Sequence, residues 1–379
     1  MKKGLFALAL GTFTLGMAEF IIEGILTDVA NSMKVSIPEA GHLISVYALG
    51  VCAGAFSLIA MHKYRPKNIL MFLASLITIG AAIASIAPNY WLLLCARFIQ
   101  GLPHGAYFGT GTIVAVKMAR EGKATSAVAM MCAGMPFANL MGVPLGTFLS
   151  HHISWRAPFF ISIILGIITL YMIYRWVPNI EALPNNGMKA QFRFLRNKAP
   201  WLIIAATFLG NGGILCWFSY ISPLLQTEGG FSAASISLLM IIAGLGMVVG
   251  NLISGPLSDR FKPGRITCYF QVVAAISLML TFCFSSIGWL SAILMFIICA
   301  CLFGIGSPEQ YLIVKHAEGG EMLGGCCIQG AFNMGNAIGA FLGGIPVSMG
   351  LGFNYPALIG VPMALIGAIC LWTFHKGYE

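Results

Sequence analysis

Two glutamates, Glu19 and Glu23, stand four residues apart in a run that is otherwise apolar, and with Thr12 and Gly16 they fall on one helical face at i, i+4, i+7 and i+11. Arg97, Gln100, His104 and Tyr107 make a second stripe at i, i+3, i+7 and i+10. A carboxyl near a guanidinium and an imidazole can exchange protons, because burial and a neighbouring cation act on its protonation in opposite senses. Glu19, Glu23, Arg97 and His104 are therefore the candidate proton-coupling residues. Three plainer roles stand beside that one: a static Glu19–Arg97 ion pair, a solvated or vestibule position for Glu23 nearer the outer surface, and an interior histidine held only by hydrogen bonds.

Amides, rings and one more carboxylate recur farther along the chain. Gln329, Asn333 and Asn336 repeat at i, i+4 and i+7, Glu309 and Gln310 lie about two turns before Lys315, and Asn211, Trp217 and Tyr220 share a third apolar stretch. With Gln100, Tyr107 and Asn139 these are the candidate substrate-binding residues, since amides and rings orient a small polar or amphipathic molecule in a pocket. Hydrogen bonding between helices is the alternative for any one amide.

The elements that must position these groups follow from hydropathy. The chain has 379 residues, of which 58% are hydrophobic and 9% charged, with a mean hydropathy of +0.87. That leaves too little polar surface to cover a water-soluble globule. Twelve stretches reach the roughly 20 apolar residues a membrane helix needs: residues 4–27, 40–60, 69–87, 91–115, 124–149, 157–177, 201–225, 232–254, 266–286, 288–312, 323–347 and 353–374. The expected fold is an all-α membrane protein of twelve transmembrane helices in two pseudo-symmetric six-helix bundles. An ionisable group inside such a span costs at least ~2.5 kcal/mol, so each survivor marks a pathway or a relay. At ~1.5 Å rise per residue, Glu19 and Arg97 sit roughly 12 and roughly 10 Å below the outer ends of their helices, at similar depth.

The net charge of +9 is distributed on one side. With the N-terminus cytoplasmic, eighteen of the 21 Lys and Arg fall in cytoplasmic segments, Lys34 and Arg156 fall outside, and Arg97 lies within a span. The positive-inside rule then places both termini in the cytoplasm of a bacterial inner membrane. The basic excess is an orientation signal with anionic lipid headgroups as partners, not a nucleic-acid surface. The opening Met-Lys-Lys and the apolar run after it are read as a retained first helix. The eleven cysteines fall almost wholly within spans, without metal-ligand spacing in an aqueous loop, and are read as packing residues. No phosphate loop, Gly-x-Ser-x-Gly elbow or His-Glu-x-x-His motif is found, so neither an enzyme nor an ATP-driven pump is expected. No cofactor is expected; a proton gradient would supply the energy.

A polar, basic interruption between Val177 and Trp201 divides the chain into residues 1–177, a linker 178–200 and residues 201–379. Within the linker, Lys189 to Arg196 sets Phe192 and Leu195 against Arg193 and Arg196, the pattern of a short amphipathic helix on the headgroups. The two halves align with a shift of about 198 positions, parallel repeats being a transporter device. Met61 and His62 then fall opposite Asp259 and Arg260, and Lys117 opposite Lys315.

GPLSDRFKPGR, from Gly255 to Arg265, resembles motif A of the major facilitator superfamily. RFIQGLPHGAYFG, from Arg97 to Gly109, resembles motif B, and GMPFANLMGVPLGTFL, from Gly134 to Leu149, resembles motif C, the antiporter motif. With LGMAEFIIEGIL in the first span and SWRAPFF opening the sixth, the chain resembles the drug/proton antiporter branch of that superfamily, of the arabinose-efflux-permease type. The resemblance implies alternating access by two six-helix bundles. It also implies proton coupling through Arg97 and gating by Gly255, Asp259 and Arg260, with a flexible fifth helix at Gly142, Pro144 and Gly146. The first-half counterpart of motif A has Met61 where the family has aspartate, and Ala138 to Gly142 replace the usual Gly-Pro and paired glycines of motif C.

The expected function is proton-coupled efflux of a small organic compound, drug or sugar-like, by a functional monomer. A nutrient symporter or facilitator is the second reading, and a membrane sensor that no longer transports is the third.

Overall fold

In the computed structural model the described residues are 2–61, 63–182 and 191–379, and within them the side chains of residues 23, 37–38, 55–60, 143 and 233–234 lie outside the description. Helices account for every predicted span, and no strand occurs among the described residues. In chain order they are α1 (Lys2–Met33), α2 (Ile37–Met61), α3 (Pro66–Ile86), α4 (Tyr90–Gly101), α5 (Pro103–Lys117), α6 (Ala124–Cys132), α7 (Gly134–His152) and α8 (Ala157–Trp176). There follow α9 (Lys198–Ala205), a π-helical segment Ala206–Asn211, α10 (Gly212–Phe218), α11 (Ile221–Thr227), α12 (Ala233–Phe261), α13 (Pro263–Phe284), α14 (Gly288–His316), α15 (Glu321–Ser348) and α16 (Tyr355–Tyr378).

Helix α8 shows why lipid is the solvent. Phe160, Ile164, Ile167, Tyr171 and Tyr174 form an exposed stripe one helical turn apart, while Ser162, Gly166 and Thr169 are buried. The exposed face is the larger and more apolar one, which water would penalise and hydrocarbon does not. Thr169 Oγ1 meets Thr14 Oγ1 of α1 at 3.2 Å, a polar pair closed between helices. By length and composition, nine described helical stretches are fit to cross a membrane. The spans carrying Arg97, Gln100 and His104, and Gln329, Asn333 and Asn336, fall outside that set, as does α2 with its incompletely described stretch.

Three predicted spans are interrupted. The fourth divides at Leu102 because Pro103 cannot donate a backbone hydrogen bond and opens α5. The fifth divides at Ala133, where Thr12 Oγ1 of α1 donates to the Met131 carbonyl at 2.5 Å. The seventh passes through the π-helical segment and then restarts after Tyr220. The linker helix expected over Lys189 to Arg196 is described only in part, because Lys189 and Ala190 lie outside the described residues; Gln191 is helical, and a single 3₁₀ turn follows at Arg193–Arg196. Phe194 of that turn is buried, while Phe192 just before it is exposed.

The chain forms two compact units, Met1–Glu121 with Met130–Phe194 and Ala317–Gly330, and Gly122–Ala129 with Leu195–His316 and Ala331–Glu379. In the first, Ile22, Ile25 and Val29 of α1 pack with Leu43, Leu93 and Phe159. In the second, Trp217, Leu239, Met247, Leu278, Ile298 and Ile305 belong to one apolar cluster.

Candidate functional site

Arg97 is fully buried in α4 of the first unit, and its guanidinium, always charged, is held by backbone carbonyls. Nε donates to the Leu43 carbonyl at 3.2 Å, and Nη1 donates to the Ala18 carbonyl and to Gln100 Oε1 at 2.9 Å. The Ala18 contact sets Arg97 against the turn of α1 that carries Glu19. Its guanidinium carbon also lies 4.5 Å from the centre of the Tyr47 ring, in cation–π contact.

Tyr47 links this cation to the imidazole. Its hydroxyl lies 2.9 Å from His104 Nδ1, and Glu19 Oε2 lies 3.8 Å from the same nitrogen. His104 stacks on Phe108 at 5.4 Å and hydrogen-bonds the Gln329 side chain of α15. Glu19, Arg97, Gln100, His104 and Gln329 are thus gathered in one cluster, while the Glu23 side chain lies outside the described residues. Tyr47 escaped the sequence reading. Its only signal was an aromatic hydroxyl in an apolar span, three residues before Gly50, where α2 comes against the Phe98 carbonyl of α4.

The motif C residues seat α7 on α1. A Cβ at Gly134 would meet the backbone of Ala9 and Phe13, one at Gly142 would lie 2.6 Å from Met17 Sδ, and one at Gly146 would lie 2.5 Å from Ile21 Cγ1. The helix bearing Glu19 is therefore gripped on either side of it in sequence. Pro144 lies within α7, between the two contacts.

In the second unit, motif A caps a helix. Asp259, in the last turn of α12, accepts the backbone N–H of Thr125 at 2.8 Å and of Ser126 at 3.0 Å, as well as the Ser126 hydroxyl. A carboxylate there meets both the free donors and the positive end of the α6 dipole. Gly255, one turn earlier, lets α12 come close: a Cβ would lie 2.8 Å from Ala129 Cβ. Arg260 stacks on the Phe261 ring at 4.9 Å, and Lys262 turns the chain toward α13 with φ +70°.

The Major Facilitator Superfamily profile matches residues 8–325. The chain belongs to that superfamily. It is similar to AraJ of Escherichia coli K12, named as a transporter, with 45% identity over 368 residues, 97% of this chain and 92% of the relative. It is also similar to the inner membrane transport protein YdhP of the same strain, with 34% identity covering 95% and 92%. A Helicobacter acinonychis protein named for sugar efflux is 24% identical, with 98% and 94% covered. The crystal structure of the Escherichia coli fucose:proton symporter FucP superposes with a TM-score of 0.78 at 16% identity, over 97% of this chain and 98% of that one. The fold is therefore the twelve-helix major facilitator fold, and the chain is a multi-pass membrane transporter of this superfamily rather than an enzyme.

In this superfamily member the remaining polar residues are differently placed. Asn211 and Glu309 meet in the second unit, where Asn211 Nδ2 donates to Glu309 Oε2 at 3.1 Å. Tyr107 is enclosed against α1, its hydroxyl 3.4 Å from the Leu8 carbonyl. Trp217 is buried in the apolar cluster of the second unit, and the Tyr220 hydroxyl donates to the Ala340 carbonyl at 2.8 Å. Gln310 is buried, Asn139 and Asn333 are half-buried, and Asn336 is exposed. Gln100 Nε2 has no hydrogen-bond partner among the described residues.

Proposed function

We propose that this transporter exports a small organic compound, sugar-like or drug-like, in exchange for protons, from a bacterial inner membrane in which both termini are cytoplasmic. One observation carries the reading: Glu19, His104, Tyr47 and Arg97 form a contiguous chain of proton-exchanging and cationic groups inside the first bundle. A proton arriving on Glu19 removes its negative charge beside a fixed guanidinium, and His104 with Tyr47 provides the hydrogen-bonded group through which it passes. Loss of that proton restores the charge. Each protonation state then favours one of the two access states, and substrate shifts the same equilibrium by its differential affinity.

The sugar-efflux naming of the Helicobacter relative supports a sugar-like cargo, and the loop charge supports the orientation. Gln100 and Gln329, at the edge of the cluster, are the amides that would orient the cargo; anionic headgroups would hold the cytoplasmic basic loops. That every described group of the cluster comes from one chain supports a functional monomer.

A thermal-shift screen of the purified protein against sugars, nucleosides and antibiotics identifies a cargo, because binding stabilises by mass action. Glu19→Gln is then reconstituted in proteoliposomes with an imposed pH gradient. Gradient-driven accumulation is expected to vanish while substrate counterflow persists. Undiminished gradient-driven flux in that variant removes the coupling role, and uptake down the substrate gradient that ignores pH points to a facilitator.

A further inference from the structure

The second unit buries a carboxyl that this coupling scheme does not use. Glu309 follows Pro308 in α14 and is fully enclosed. Its Oε2 lies 2.9 Å from Thr207 Oγ1 and 3.1 Å from Asn211 Nδ2. Its Oε1 has no hydrogen-bond partner among the described residues, and neither has Asn211 Oδ1. Thr207 and Asn211 both come from the π-helical segment of the seventh span.

Among the described residues no cation forms an ion pair with this group. The charged and imidazole groups of α14, beside Glu309 itself, and of the helices packed on it are Lys198, Asp259, Arg260, Arg265, Lys315, His316, His375 and Lys376, and each lies in the terminal turn of its helix. The other titratable groups there are thiols and phenols, which are never cationic. None of these forms an ion pair with Glu309, and an ionised carboxylate would be an uncompensated buried charge with one oxygen empty-handed.

A proton resolves the arrangement. Thr207 Oγ1 stands 3.0 Å from the Ile203 carbonyl as well as 2.9 Å from Glu309 Oε2, yet a hydroxyl carries a single hydrogen. If Oε2 holds a proton, the acid donates to Thr207, Thr207 donates to Ile203, and Asn211 still donates to the acid. Every contact then joins a donor to an acceptor.

We infer that Glu309 is a second proton-binding site, loaded in the arrangement described, with Thr207 and Asn211 as the side chains that hold the acid. The step is a simple one: the carboxylate takes one proton to become a carboxylic acid, and gives it up again. Its partners lie on a π turn, an element frequent at functional sites in helices. Loss of the proton would therefore be felt first in the seventh span.

Infrared difference spectroscopy of the purified protein, titrated from acid to alkaline buffer, tests this without any substrate. A carboxylic-acid C=O band that shifts in heavy water is expected in the wild type, lost in Glu309→Gln and displaced in Thr207→Val. The same band should persist in Glu19→Gln, which separates this site from the first bundle: its failure leaves the Glu19 scheme standing, and the converse also holds. An acid band unchanged by Glu309→Gln overturns the inference. Should that variant not fold, an unchanged band in Thr207→Val overturns it. Stabilisation by sodium or lithium chloride that Glu309→Gln abolishes would also overturn it, by making the site one for a metal cation.

Discussion

The Tyr47 hydroxyl lies 2.9 Å from His104 Nδ1 while the face of its ring takes the Arg97 guanidinium at 4.5 Å, so one side chain touches both the imidazole and the fixed cation. The two contacts use different parts of tyrosine and can be separated. Tyr47→Phe keeps the ring under Arg97 and deletes the hydroxyl. Loss of one buried hydrogen bond costs about 1 kcal/mol, so thermal stability should fall only slightly. Flux in proteoliposomes, followed as a function of pH, should change its profile. Tyr47→Leu removes the cation–π contact as well and should destabilise further. A Tyr47→Phe profile that overlays the wild type would show that the hydroxyl takes no part in proton exchange.

The seating of α7 on α1 yields a graded series. Alanine at Gly142 meets the thioether of Met17, an unbranched and adaptable side chain, and should be nearly neutral. Alanine at Gly146 meets Ile21 at Cγ1, close to a stiff β-branched centre, and should cost about 1–3 kcal/mol. Alanine at Gly134 meets backbone atoms of Ala9 and Phe13, which cannot swing aside, and should be the most damaging of the three. Thermal melts of the three variants in one detergent check the order. Equal melting temperatures in the three variants would show that these contacts do not set the effect, since the gain in helix propensity from glycine to alanine is common to all three.

The same contacts show what the sequence could and could not disclose. Spans were legible because twenty-residue apolar runs have few other uses, and the Glu19 and Arg97 stripes because lipid excludes charge. Pro103 announced the break in the fourth span, yet a stripe drawn at regular helical spacing across it put His104 and Tyr107 on one face. In the structure His104 meets Tyr47 and Gln329, whereas Tyr107 turns its hydroxyl to Leu8 of α1. The π turn at Ala206–Asn211 has no proline to announce it. Pairings such as Tyr47 with His104, or Thr207 with Glu309, join residues 57 and 102 positions apart, which local periodicity does not encode.

At the start of α2, Ser36 and Glu39 form a capping box. Glu39 Oε2 accepts the Ser36 N–H and hydroxyl at 2.7 Å each, and the Glu39 N–H donates to Ser36 Oγ at 3.3 Å. The Ser36 backbone N–H, then its hydroxyl, hold the Glu39 carboxyl below its ordinary value. A depressed carboxylate stabilises the cap above its ordinary titration range and loses that contribution as pH falls through the lowered value. Amide hydrogen exchange at Ser36, corrected for the intrinsic rate, should therefore accelerate in acid. Glu39→Gln should abolish that acid response; an unchanged response would assign it to another group.

Asp259 caps α6 from another helix, so its charge and its hydrogen bonds can be weighed separately. Asp259→Asn keeps one acceptor oxygen for the Thr125 or Ser126 N–H but surrenders the interaction of the charge with the helix dipole. Asp259→Ala surrenders both. Capping losses of this kind amount to about 1–2 kcal/mol, with the asparagine variant at the lower end. The local readout is amide exchange at Thr125 and Ser126, whose N–H groups are the ones capped. Exchange should quicken modestly in Asp259→Asn and strongly in Asp259→Ala, while amides near Glu309 keep wild-type rates. If the cap also gates transport, as the motif A resemblance implies, both variants should slow substrate counterflow in the same order. Matching exchange rates in all three proteins would remove the capping role, and impaired exchange protection with full counterflow would confine Asp259 to stability.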